Sequence, residues 1–116
     1  MPNYEPVIDK LIAKSEAGGV PWKPTYNENT FVAAIEGEVT FEISKSNYGG
    51  FDFQMKDKDD KKIIEMACHN RKKDEEGYEE DDRFFDKVRR LYDAARATAL
   101  EVDKKLTVAE ALLDRF

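Results

Sequence analysis

The chain has 116 residues, 41% hydrophobic and 38% charged, with 25 acidic against 19 basic side chains and a formal net charge of −6. That length holds one domain with one core, expected over residues 1–116. The negative balance disfavours nucleic-acid binding, which relies on clustered Lys and Arg displacing counterions.

A single cysteine, Cys68, excludes an intrachain disulfide. No apolar run approaches the ~20 residues of a membrane helix. The start MPNYEPVIDK lacks the basic head and apolar centre of a signal peptide. A cytoplasmic protein with no membrane partner is the expectation.

Tyr4, Val7, Ile8, Leu11 and Ile12 recur at helical spacing, with Pro6 suited to a first turn and Gly18–Gly19 to a stop. This predicts a helix over residues 6–16. Two prolines then bracket Trp22 and force an extended path. Two readings are open for Trp22. It is either an exposed anchor for a partner or a cover for one end of the core, its N–H bonded to a backbone carbonyl. The second is the commoner fate.

From Thr30 the period becomes two. Phe31, Ala33 and Ile35 alternate, Glu36-Gly37 supplies a turn, and Val39, Phe41 and Ile43 alternate again. A two-residue loop would put these two sets on opposite faces. A three-residue loop with a glycine bulge puts all six on one face, and burial favours it. Asn47-Tyr48-Gly49-Gly50 predicts the next turn, followed by a strand with Phe51, Phe53 and Met55 inward. The tip Asp57–Asp60 leads to a fourth strand, Lys61 to about His69, with Ile64, Met66 and Cys68 on one face.

Residues 70–82 read as a solvated loop. A long helix follows, with Phe84, Val88, Leu91, Ala95, Thr98, Val102 and Leu106 as its stripe and Asp81–Asp82 at its N-terminus. Thr107-Val108-Ala109-Glu110 matches a capping box, so the helix either restarts at Thr107 or runs unbroken from Arg83 to Asp114. The predicted fold is α+β, a two-layer sandwich. A four-stranded antiparallel meander carries an N-terminal helix and a long C-terminal helix on one face, with the opposite face in solvent.

No motif carries chemistry. Cys68 and His69 are adjacent in a strand and point to opposite faces, so they form no nucleophile–base pair. Asp57, Asp59 and Asp60 lack the glycine and closing glutamate of a calcium loop. The expectation is no catalytic residue, no cofactor and no metal. Charge is more informative, since seven of the nine residues from Asp74 to Asp82 are acidic. From Arg83 to Leu106, seven basic residues face four acidic ones, suggesting pairs Asp86–Arg90, Arg89–Asp93 and Glu101–Lys105.

The order helix, strands, helix resembles a double-stranded-RNA-binding domain. That family grips phosphate with lysines at the start of its second helix, where this chain has Glu79-Glu80-Asp81-Asp82. The resemblance is one of architecture. Val20-Pro21-Trp22 and the segment Leu91-Tyr92-Asp93-Ala94-Ala95-Arg96 resemble small single-domain bacterial and phage proteins to which no role is assigned. That similarity implies no active site.

These features point to a non-enzymatic interaction or regulatory protein, with another protein, basic in character, as its partner. Glu36, Glu38, Glu42 and Asp52 on the solvent face, with Glu79, Glu80 and Asp81 of the loop, are the expected contact residues. The alternatives are nucleic-acid binding through Arg83, Lys87 and Arg90, or a small-ligand site near Trp22, Tyr92 and His69. Surplus apolar residues on the long helix and at Leu112, Leu113 and Phe116 also suggest a homodimer.

Overall fold

A computed structural model describes residues 3–116. The elements, in order, are α1 (Glu5–Glu16), β1 (Lys23–Pro24), β2 (Thr30–Ile35), β3 (Val39–Lys45), β4 (Phe51–Asp57) and β5 (Lys62–Cys68). A 3-10 turn (Glu80–Phe84), α2 (Phe85–Ala99) and α3 (Val102–Leu113) complete the chain. The class is α+β, with an open antiparallel sheet in the order β1-β2-β3-β4-β5.

The sheet has five strands and not four. The extra one is the Lys23–Pro24 pair, which lies along β2 with Lys23 opposite Val32 and Pro24 opposite Phe31. A proline lacks the N–H that an interior strand must donate, so it is tolerated at an edge. Two residues between prolines show no alternation, which is why they read only as an extended path.

The β2–β3 hairpin has the three-residue loop that burial demanded. Ile35 pairs with Val39, Ala33 with Phe41 and Phe31 with Ile43, so all six share one face. The loop takes two consecutive left-handed residues, Glu36 (φ 52°) and Gly37 (φ 71°). Glycine adopts that conformation without steric cost, whereas Glu36 is held in it by the turn. At the other end of the strands, Gly50 permits a close approach. A Cβ there would lie 2.8 Å from His69 Cδ2 and 3.0 Å from the Cys68 carbonyl oxygen.

Core residues come from one sheet face and both covering helices. Phe31, Phe53, Ile43 and Cys68 are sealed beneath Ile8 of α1 and Val88 and Leu91 of α2. Tyr92 stands between two strands, with ring centroids 5.6 Å from Phe31 and 5.2 Å from Phe51. Aromatic rings in such tilted pairs add to the stabilisation from buried area. α1 packs chiefly along α2, and α2 crosses β1 to β4.

Trp22 is buried, and its indole N–H donates to Ser15 Oγ at 2.9 Å. The acceptor is therefore a side-chain hydroxyl and not a backbone carbonyl. Ser15 is itself buried on the last turn of α1, so the bond ties that helix to the edge of the sheet.

The long C-terminal helix is two helices, and neither expectation for it holds. The break comes at Leu100–Glu101, where Glu101 adopts φ 52° and ψ 46°, and not at Thr107. Thr107 lies inside α3, its hydroxyl donating to the Asp103 carbonyl at 3.1 Å. No residue of α3 is buried.

Replacing Ser15 by Ala leaves a buried indole N–H without an acceptor, a loss of about 1–3 kcal/mol. For a domain of this size, that lowers the melting temperature by roughly 4 °C per kcal/mol. Calorimetry showing Ser15→Ala melting together with the parent would remove this bond from the account of the fold.

Candidate functional site

The residues expected to contact a partner fall in three places. Glu36 and Glu38 lie in the β2–β3 loop, at the end of the sheet that also carries the β4–β5 turn. There Asp57 Oδ1 accepts the backbone N–H groups of Asp59 (2.9 Å) and Lys61 (3.0 Å), so its carboxylate holds its own turn together. Glu42 and Asp52 lie on the uncovered sheet face. Glu79, Glu80 and Asp81 lie at the far end, where β5 leaves the sheet and the 3-10 turn begins.

The uncovered face is less acidic than expected. Register places Lys23, Val32, Glu42, Gln54 and Glu65 in one row across it, and Thr30, Ser44, Asp52 and Ala67 in another. A third row holds Ala34, Thr40, Lys56 and Lys62. Glu42, Asp52 and Glu65 are thus matched by Lys23, Lys56 and Lys62. Glu36 and Glu38, counted on this face by alternation, belong to the turn.

The far end is different. Asp82, expected to be a solvated N-terminal residue of the helix, is 4% exposed. Its Oδ1 accepts the His69 backbone N–H at 2.8 Å, and its Oδ2 accepts the Glu79 backbone N–H at 2.9 Å. His69 Nδ1 lies 3.6 Å and Arg71 Nη1 3.8 Å away. One side chain therefore joins the end of β5 to the turn that starts α2.

Burial alone would raise the Asp82 pKa. The two backbone N–H bonds, from Glu79 and His69, and the charges of Arg71 and His69 outweigh it and hold the carboxyl below its ordinary value. Arg71 also donates to the Gly77 carbonyl at 2.6 Å, which closes the loop over residues 71–77. The segment expected to be solvated is thus fastened at both ends.

Asp74, Glu75, Glu76, Glu79 and Glu80 are exposed and Asp81 is half-buried. Asp52, from the adjacent strand, joins this group. The Cys68 thiol is pushed up to about 12 by burial first, and then by the carboxylates of Asp81, Asp82 and Asp52. The exposed loop carboxylates give this end of the sheet an acidic rim. Beside it, Tyr48, Gly50, His69, Asn70, Arg71 and Phe85 line an open cleft of 400 Å³.

The basic stripe of α2 is engaged within the chain. Lys87 Nζ donates to Asp9 (2.7 Å) and Glu5 (2.8 Å), and Arg90 grips Glu16 through Nη2 (2.6 Å) and Nε (3.2 Å). These bonds, that to Asp9 foremost, hold the Lys87 pKa above its ordinary value. Arg83 lies 3.3 Å from Glu80 and covers the Phe84 ring. Within the helices the ion pairs are Asp86–Arg89 and Glu101–Lys104, each at a spacing of three and not the four expected. Trp22 and Tyr92 are closed into the core. Among the described residues, no three His, Cys, Asp or Glu side chains converge as metal ligands would. Among the described residues no helix is long and apolar enough to cross a membrane.

Compared with protein-family models, with curated proteins and with solved structures, the chain matches none.

Two outcomes test this site. The folded Asp82 pKa lies below the unfolded one, so its contribution is complete above about pH 4 and disappears as pH falls through the folded value. Asp82→Asn sets an amide NH₂ against a backbone donor. It should therefore be less stable by about 1–3 kcal/mol at neutral pH, with the gap to the parent narrowing in acid. A gap independent of pH, in denaturant titrations, would show that the charge is not what the site holds. Cys68, buried and protonated, should react with iodoacetamide only after unfolding; equal rates in native and denatured protein would contradict its placement.

Proposed function

We propose that this chain is a non-enzymatic, cytoplasmic interaction protein whose acidic rim binds a basic surface of another protein. Asp52, Glu79, Glu80 and Asp81, with Glu75 and Glu76 of the loop, make the contact. The observation that supports this reading is the buried Asp82 carboxylate, which ties the two ends of the loop together and so confines its exposed carboxylates to one end of the sheet. A preset arrangement loses less entropy on binding than a mobile tail of the same charge. Glu36 and Glu38 lie at the opposite end of the sheet and take no part. Complementary charge of this kind speeds encounter and selects partners more than it adds affinity.

Lys87 and Arg90 are held by α1 carboxylates and Arg83 lies beside Glu80, which weighs against the phosphate-binding alternative. Reversing Glu75, Glu79 and Glu80 to Lys tests the proposal. Proteins retained by the immobilised parent, and eluted by salt, should be lost to that triple variant. They should remain bound to a control reversed at Glu36 and Glu38. If the triple variant retains the same proteins at the same salt, the rim is not the contact.

A further inference from the structure

α3 is the one helix the core does not use. Leu106 is 61% and Leu113 68% exposed, and Val108 and Leu112 are uncovered as well. Its seam has a definite period. Val102, Leu106, Ala109 and Leu113 recur at steps of four, three and four, with Phe116 three residues further on, just past the helix end. That is the alternation of a two-stranded coiled coil, in which such residues face a partner helix. Small Ala109, in the middle of the seam, lets a second backbone approach.

The flanks say which helix that is. Asp103 and Glu110 each follow a seam residue directly, on one flank, whereas Lys105 precedes Leu106 on the other. In a parallel pair, the residue before one seam position meets the residue five places later on the partner helix. Lys105 of one copy then faces Glu110 of the other, and a two-fold axis repeats the pair. In an antiparallel pair each flank meets its own kind, setting Asp103 and Glu110 against each other. Lys105, Asp103 and Glu110 enter no ion pair among the described residues, so they remain available.

We infer that α3 pairs in parallel with α3 of a second copy, through Val102, Leu106, Ala109 and Leu113, with Lys105–Glu110 bridges on both sides. The seam is about 18 Å long, from 1.5 Å per residue. That is short for isolated helices, but here each is anchored to a folded domain. This self-pairing uses neither the acidic rim nor a foreign partner, so it stands or falls separately from the proposed function.

Sedimentation and light scattering of the full chain should give twice the monomer mass. Leu106→Asp with Leu113→Asp should abolish the dimer without altering the melting of the domain, since neither side chain is in the core. Lys105→Glu or Glu110→Lys alone should weaken the dimer by about tenfold, and the two together should restore it. Ala109→Cys should form a disulfide with its own copy under mild oxidation, because a parallel seam places Ala109 opposite itself. A monomer at every concentration up to about 1 mM overturns the inference. So does a dimer indifferent to the two Asp substitutions. A dimer strengthened by Glu110→Lys alone, or Ala109→Cys copies that do not crosslink, would overturn the parallel geometry.

Discussion

Burying a carboxylate is unfavourable unless its oxygens are bonded and its charge is balanced. Asp82 meets both conditions by drawing in the backbone of two distant segments. One oxygen holds the His69 N–H, where the sheet ends, and the other holds the Glu79 N–H, where the helical layer begins. The point at which the helical layer leaves the sheet is held by this one side chain. So is the closure of the loop between them, with Arg71 near enough to balance the charge and to hold Gly77. Among the described residues no buried side-chain donor or acceptor lacks a partner, so the site closes without residual polar cost.

A second set of contacts fixes α1 against α2. The apolar stripe of α1 would allow the helix to slide or turn, because apolar contact is non-directional. Trp22 donating to Ser15 sets its C-terminal end, while Lys87 and Arg90 hold its exposed carboxylates from the side. Exposed ion pairs contribute little stability one by one. Their effect here is to fix orientation and to neutralise Lys87 and Arg90 of the α2 stripe. The acidic loop, with fewer internal partners, keeps its charge outward.

The strands were legible in the sequence because alternation, turn residues and burial agreed on one answer. Phe31 to Ile43 could share a face only with a three-residue loop, and the chain adopts it. What failed was wherever a local pattern competed with a contact distant in sequence. Asp82 resembles any acidic residue at a helix start, and only its meeting with His69 and Arg71 sets it apart. The pairing of Arg90 with Glu16 crosses 74 residues, beyond reach of the i,i+4 rule that assigned Arg90 to Asp86. The acidic face dissolved for a related reason. Lys56 stands on it by simple alternation, but Lys23 and Lys62 join it through register, and Lys23 reaches it from a strand too short to announce itself.

The break before α3 follows the same logic from the opposite side. Propensity and period both favour one helix through Leu106, and nothing between Ala99 and Val102 is a helix breaker. A non-glycine residue takes the left-handed conformation only where its surroundings hold it there. At Glu101 the covered stripe of α2 has run out: Ala95 is buried, Ala99 and Leu100 are half-covered, and past Val102 every residue is exposed. A straight continuation would carry Leu106 and Leu113 past the sheet, where no strand remains to cover them. The turn separates the part of the helix that the sheet can bury from the part it cannot. Its apolar seam is therefore a property of the sequence that one copy of this fold leaves unsatisfied.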